Sequence, residues 1–129
     1  MEITANAIQT VASNANVLFT DTVVCGNCAI THRDGSGLVT LRGLTNQCRA
    51  RFRVSFGGNI AIPTGGTVGP ISLAIAIDGE AVATTTMIST PAAVEEYQNV
   101  FSAIFLDIPR GCCSQISVRN TSDEPIEIQ

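Results

Sequence analysis

The side chains of this sequence that are best suited to bind a metal or to react are its five cysteines and its single histidine. Cys25 and Cys28 form a Cys-Gly-Asn-Cys motif, and His32 follows four residues after Cys28. Cys112 and Cys113 are adjacent. Thiolates and imidazole nitrogens at such spacings are zinc ligands in structural sites. One interpretation is therefore a zinc site in which Cys25 and Cys28 are joined by His32 or by the adjacent pair, although the second Cys-X-X-Cys motif of a zinc ribbon is missing.

A second interpretation is that the cysteines form disulfide bonds. An odd number of cysteines favours pairing between chains. Adjacent cysteines rarely bond to each other because the ring is strained, so Cys112 and Cys113 are expected to seek different partners. A third interpretation is that Cys48 and Cys112 are small buried hydrophobic residues. No bound metal is expected. All five cysteines are treated as disulfide candidates, namely Cys25, Cys28, Cys48, Cys112 and Cys113.

The sequence lacks the groups that most catalytic mechanisms need. It contains no lysine, which excludes the P-loop, Schiff-base chemistry and a kinase site. The triplet His32-Arg33-Asp34 matches a kinase catalytic loop but stands alone, so we interpret it as part of a turn. No Gly-X-Ser-X-Gly motif provides a serine nucleophile. We therefore predict that the chain is not an enzyme, with no catalytic residue and no cofactor.

Length and charge limit the remaining classes. A chain of 129 residues is enough for one domain. Seven arginines against eleven acidic residues give a net charge of −4, which disfavours binding to nucleic acid. The apolar stretches are much shorter than the roughly 20 residues of a membrane-spanning helix, so no membrane insertion is expected. The start, MEITANAIQT, has no basic segment followed by an apolar one, and no signal peptide is predicted.

The elements that position these residues are predicted to be strands. Thr, Val and Ile supply 39 of the 129 residues, and β-branched side chains favour a pleated sheet. Apolar and polar residues alternate in short segments bounded by Gly, Pro, Asn and Asp, as in a sandwich or barrel. We expect an N-terminal arm over residues 1–16 and one all-β domain over residues 17–129.

The clearest alternation lies between residues 47 and 56. Cys48, Phe52 and Phe56 share the apolar side with their even-numbered neighbours, whereas Arg49, Arg51 and Arg53 share the other. Because successive side chains of a strand point to opposite faces, the first set is expected in the core and the arginines at the surface. Further strands are predicted at Val17–Val24, Ala29–His32, Leu38–Leu44, Ile71–Ile77, Ala81–Ile88, Asn99–Ile108, Gln115–Arg119 and Ile126–Ile128.

The strand Asn99–Ile108 is apolar on both faces. Phe101, Ala103 and Phe105 share one face, and Val100 begins the other. A strand that is apolar on both faces usually lies between the core and a partner. We therefore predict that Val100, Phe101, Ala103 and Phe105 contribute to a subunit interface.

Several motifs together resemble a known family. The segments AITHRDGSGLVTLRG, ARFRVSFGGNIAIPTGGTVG, ISLAIAIDGEAV and IPRGCCSQISVRNTSDEPIEIQ are similar to the C-terminal domain of bacterial and phage collagen-like surface proteins, such as those of exosporium filament tips. The resemblance spans about Val17 to Gln129. It implies an antiparallel jelly-roll sandwich, similar to tumour necrosis factor and the head of complement C1q, that assembles as a homotrimer. It also implies a further strand after Gln129, so the chain is expected to be shortened or to be completed by a neighbouring chain.

The resemblance and the composition together predict a structural role. The principal expectation is a homotrimer that decorates or projects from a particle, as a phage capsid fibre or decoration protein at the virion surface. Alternatives are the head of a spore-surface or cell-surface protein and a glycan-binding receptor-recognition module. The last is weakly supported, because Tyr97 is the only tyrosine and tryptophan is absent. Expected partners are further copies of the chain, with capsid or exosporium proteins and a host glycan as alternatives.

Overall fold

The structure is a computed structural model that describes residues 1–5, 7–24, 30–43, 49–109 and 113–129. The described residues form twelve strands and one short 3-10 turn, Ala83–Thr85, and contain no α-helix. The strands are β1 Glu2–Thr4, β2 Gln9–Val11, β3 Asp21–Val24, β4 Ile30–His32, β5 Val39–Arg42, β6 Arg49–Ala61, β7 Ile71–Ile77, β8 Glu80–Ala81, β9 Met87–Ser89, β10 Gln98–Pro109, β11 Cys113–Asn120 and β12 Ile126–Ile128.

The strands form two main sheets and one small one. The four-stranded sheet has the order β10-β6-β12-β2, and the larger sheet has the order β4-β5-β11-β7-β8, with β9 also on β7. β1 and β3 form a separate pair. All of the pairings are antiparallel. The prediction of an all-β, antiparallel fold is thus confirmed, and the arrangement is consistent with a β-sandwich.

Four of the pairings are nested along the chain. β7 pairs with β9, β6 with β10, β5 with β11, and β2 with β12. From the innermost pair outward, successive pairs alternate between the two main sheets. The pairs β7–β9 and β5–β11 lie in the larger sheet, and the pairs β6–β10 and β2–β12 lie in the four-stranded sheet. The two halves of the chain therefore run side by side and cross repeatedly from one sheet to the other.

The core combines inward-facing side chains of both sheets. Ile60, Leu73 and Ile126 are fully buried in the larger cluster. A second cluster contains Val39, Leu41, Ile108 and Ile116, with partly buried residues packed against it. The period-2 alternation of the strands supplies these residues, because one side of each strand is apolar. The alternation predicted for β6 is confirmed, since Phe56 is buried whereas Arg51 and Arg53 are exposed.

The N-terminal residues contribute strands. β1 pairs with β3, and β2 pairs with β12 at the edge of the four-stranded sheet. Val11 is 3% exposed and belongs to the larger core cluster. The segment for which the sequence predicts an arm over residues 1–16 thus packs against residues 17–129. The short strands of this segment carry too few apolar residues to be recognised from periodicity alone.

One predicted strand is interrupted. The sequence predicts a strand over Ala81–Ile88, whereas the structure has β8, the 3-10 turn and β9 in its place. The hydroxyl of Thr85 accepts a hydrogen bond from the amide of Ile75 at 3.0 Å and donates to the carbonyl of Val82 at 2.7 Å. A side chain therefore replaces the backbone partner of β7 where the edge strand is broken.

Candidate functional site

The sequence-predicted interface residues lie on the long pair of strands β6 and β10. These strands are in register from Arg49 opposite Pro109 to Ile60 opposite Gln98. Directly opposed residues of an antiparallel pair share a face. We name the solvent side of this pair the outer face, and its central pairs are Phe101 with Gly57, Ala103 with Ser55 and Phe105 with Arg53.

Two large aromatic side chains are exposed on the outer face. Phe101 is 63% exposed and Phe105 is 67% exposed. Phe105 lies four positions after Phe101, so their Cα atoms are about 13 Å apart along the strand. The ring of Phe101 lies beside Gly57, where a Cβ atom would be 3.5 Å from the Phe101 Cδ2 atom. Exposed Ala103 stands between the two rings, which makes the outer face an apolar surface in contact with water.

Val100 does not belong to this surface. Its side chain points to the opposite side of β10, is 9% exposed and packs in the larger core cluster. The alternation of the strand explains the separation, since Val100 is out of phase with Phe101, Ala103 and Phe105. The structure thus brings three of the four predicted interface residues together on the outer face and places the fourth, Val100, in the core.

A charged pair borders the apolar part of the outer face. Arg51 donates from Nε to Asp107 Oδ1 at 2.9 Å and from Nη2 to Asp107 Oδ2 at 3.2 Å. The hydrogen bonds and the negative charge of Asp107 raise the pKa of the Arg51 guanidinium. Arg53 lies nearer to the phenylalanines, opposite Phe105, and makes no ion pair with any residue that the structure describes. The outer face therefore combines an aromatic centre with a polar margin, as protein interfaces do.

The imidazole of His32 is held inside the fold by its neighbours. Its side chain is buried, and Nε2 donates to the carbonyl of Ser36 at 2.9 Å. Nδ1 lies 3.5 Å from the Thr22 hydroxyl and 3.9 Å from Asp34 Oδ1. The ring of Phe19 packs edge-on at 6.4 Å between centroids. These contacts fix the turn after β4, and they give no access for a substrate to the imidazole.

Most of the cysteines lie outside the described residues: Cys25, Cys28, Cys48 and Cys112. Cys113 begins β11, is exposed and is a free cysteine. Within the described ranges, no group of three or more His, Cys, Asp or Glu side chains could hold a metal ion. The zinc interpretation and the disulfide interpretation both stay predictions.

The structure brings together two carboxyl groups that the sequence analysis did not connect. Glu95 Oε1 accepts hydrogen bonds from the amide and hydroxyl of Thr64 at 3.0 and 2.9 Å. A hydrogen bond with Glu127 lowers the pKa of Glu95, and the same contact together with burial raises the pKa of Glu127. Burial, assisted by Glu127, raises the pKa of neighbouring Tyr97. The two glutamates are far apart in sequence, and no local motif predicts that they meet.

Comparison with known proteins leaves the family open. No protein-family model matches the chain, and no curated protein matches it. Among the described residues, no helix is long and apolar enough to cross a membrane. The function therefore has to be inferred from the geometry of the chain itself, and its main feature is the aromatic outer face of β6 and β10.

Proposed function

We propose that this chain is a non-enzymatic structural protein whose homotrimers decorate or project from a particle, in the first instance a virion. The observation that carries the proposal is the exposure of Phe101 and Phe105 on one sheet face. Aromatic side chains are costly to leave in water and are enriched in the centres of protein interfaces. A second copy of the chain is the simplest partner for this surface, as expected for a small subunit that builds a shell or fibre.

The strand pairing supports the finer description of the fold as a jelly roll. In a jelly roll, a double-stranded ribbon wraps so that strands from the two halves of the chain pair in nested order across two sheets. The pairs β7–β9, β6–β10, β5–β11 and β2–β12 have this order. This agrees with the resemblance to the collagen-like surface proteins, and that resemblance favours the trimer.

The size of the apolar surface limits how the subunits meet. A phenylalanine contributes about 150–250 Å² when fully buried, whereas a stable interface buries about 800 Å² on each partner. Phe101 and Phe105 therefore supply the centre of an interface, and the Arg51–Asp107 pair and Arg53 supply part of its margin. In a ring of three subunits each contact is heterologous, so the outer face of one subunit meets a different surface of the next. Disulfides between subunits, from the cysteine candidates above, are part of this proposal.

The proposal is tested by placing a charge at the centre of the surface. We expect Phe101→Asp and Phe105→Asp each to convert a trimer into a monomer in native mass spectrometry, because each removes an aromatic ring from the centre of the surface and puts a charged carboxylate there. Phe101→Leu and Phe105→Leu are the matched controls: they keep an apolar side chain at the same exposed positions, and their trimers should persist. A monomeric wild-type protein, or trimers of both Phe101→Asp and Phe105→Asp, would contradict the proposal.

A further inference from the structure

The loop that precedes β10 is fastened to the chain just after β6. We name residues 92–97 the acid loop. It begins after Pro91, which is fully buried, and it ends where β10 starts at Gln98. The amide of Glu95 donates to the carbonyl of Ile62 at 2.8 Å. The two ends and the middle of the acid loop are therefore each held by the fold.

The side chain of Glu127 meets the acid loop from the middle of the four-stranded sheet. Glu127 lies on β12, which pairs with β6 on one side and with β2 on the other. Its neighbours Ile126 and Ile128 are buried in the core, so the alternation of the strand points Glu127 to the opposite side of the sheet. There its carboxyl group forms a hydrogen bond with Glu95, and the hydroxyl of Tyr97 is buried beside it.

The hydrogen bond between the two carboxyl groups requires a proton on one of them, because an ionised carboxylate can only accept. Glu95 Oε1 accepts from the amide and the hydroxyl of Thr64 at 3.0 and 2.9 Å, and both of these bonds favour an ionised Glu95. The bond with Glu127 and those with Thr64 lower the pKa of Glu95, whereas the bond with Glu95 and burial raise the pKa of Glu127. Glu127 is therefore the donor and Glu95 the acceptor.

The groups around this contact are neutral or acidic. β2, the end of β6 from Asn59 onward and residues 62–70 contain no charged side chain. The acid loop adds exposed Glu96, and the turn before β12 adds two exposed acids, Asp123 and Glu124. Burial, assisted by Glu127, raises the pKa of Tyr97, which keeps the phenol neutral. When Glu127 loses its proton, none of these neighbouring elements supplies a cation, and the two like charges repel each other.

We propose that the contact between Glu127 and Glu95 is a pH-dependent latch, which holds the acid loop on the sheet while Glu127 is protonated and loosens the loop when both glutamates are ionised. The pKa of Glu127 is raised in the folded chain, so its contribution is complete at low pH and is lost as the pH rises through that raised pKa. The pKa of Glu95 is lowered, so its contribution is lost as the pH falls through that lowered pKa. The latch is therefore closed between the two pKa values and weakens on either side.

Tyr97 reports the state of the latch, because it is the only tyrosine and the chain has no tryptophan. Acrylamide is uncharged and quenches tyrosine fluorescence when it can reach the ring, so its Stern–Volmer constant measures how open the acid loop is. We expect this constant to rise at least twofold as the pH increases through the raised pKa of Glu127. A constant that does not change between about pH 4 and about pH 9, with the circular dichroism spectrum intact, would overturn the proposal.

Variants of the glutamates assign the transition. Glu127→Gln keeps a hydrogen-bond donor that does not titrate, so its quenching constant should stay low up to about pH 9. Glu95→Gln leaves a single charge in the contact and should also abolish the rise. Glu96→Gln is the matched control, an exposed glutamate of the same loop, and should show the wild-type transition. A rise that persists in Glu127→Gln, or that is lost in Glu96→Gln, would refute the latch. If Glu127→Gln does not fold, Glu95→Gln decides in the same way.

The latch is independent of the proposed trimer, because both glutamates and Thr64 belong to the same chain. The quenching titration is therefore repeated on Phe101→Asp, whose assembly is measured by native mass spectrometry. We expect the same transition whether this variant is monomeric or trimeric. A transition that is present in a trimeric wild type and absent from monomeric Phe101→Asp would contradict the latch, since assembly would then control the acid loop. A monomeric wild type that shows the transition would contradict only the trimer.

Discussion

At the scale of single residues, the side chain of Asn120 makes several buried hydrogen bonds between distant parts of the chain. It is fully buried, and its Nδ2 donates to the carbonyls of Val11 at 3.0 Å, Ala12 at 3.2 Å and Glu124 at 3.0 Å. Its Oδ1 accepts from the amide of Ser122 at 3.0 Å. One amide therefore joins β2 to the turn between β11 and β12. Asn120 also opens an Asn-Thr-Ser glycosylation motif, but burial keeps this nitrogen from a glycan in the folded chain.

We expect Asn120→Ala to lower the free energy of unfolding by about 2–4 kcal/mol, because several buried carbonyl and amide groups lose their partner. Urea denaturation followed by circular dichroism measures the change. Asp123→Ala, an exposed position in the same turn, should change the value by less than about 0.5 kcal/mol. Equal effects of the two substitutions would show that the Asn120 hydrogen bonds do not hold the two ends of the chain together.

At the scale of elements, the edge of β7 shows how a side chain completes a sheet. β8 and β9 both pair with β7, and the 3-10 turn between them brings Thr85 to the backbone of Ile75. Thr85 is 2% exposed. The loss of its hydroxyl would leave a buried amide without an acceptor, which is more costly than the net value of an ordinary hydrogen bond.

Thr85→Val is therefore expected to destabilise the chain by about 1–2 kcal/mol in urea denaturation, although valine has nearly the shape of threonine. Thr85→Ser keeps the hydroxyl and should lose less than half as much. A valine variant as stable as the wild type would mean that water replaces the Thr85 hydroxyl at the β7 edge. The sequence predicted a continuous strand here because its β-branched residues suit a sheet, and no local pattern indicates where a turn interrupts it.

At the scale of the whole molecule, assembly and stability are linked. If folded subunits are stabilised as trimers, unfolding releases separate chains, and mass action makes the melting temperature depend on protein concentration. We expect a rise of about 3 °C for each tenfold increase in concentration, measured by differential scanning calorimetry. Phe105→Asp should melt at a temperature independent of concentration. A wild-type melting temperature that does not change with concentration would contradict a trimer that contributes to stability.

Local patterns of the sequence predict most of the strands and the faces to which their side chains point. Ile71–Ile77 and Ile126–Ile128 agree with β7 and β12, and the alternation around Phe52 and Arg53 placed the two faces of β6. These properties are local, because a strand repeats every two residues whatever it pairs with. The same alternation puts Phe101 and Val100 on opposite faces of β10, but only the structure shows that Val100 lies in the core and that Phe101 is exposed.

The pairing of the strands could not be predicted from these local patterns. The pairing of β2 with β12, the contact between Glu95 and Glu127, and the pairing of β6 with β12 all join parts of the chain that are distant in sequence. Such contacts form only after long loops have closed, and they depend on how the side chains of distant strands pack together. A short sequence pattern therefore cannot predict them. The sequence thus fixes what each strand offers on its two faces, whereas the three-dimensional pairing decides which surfaces are left open for a partner.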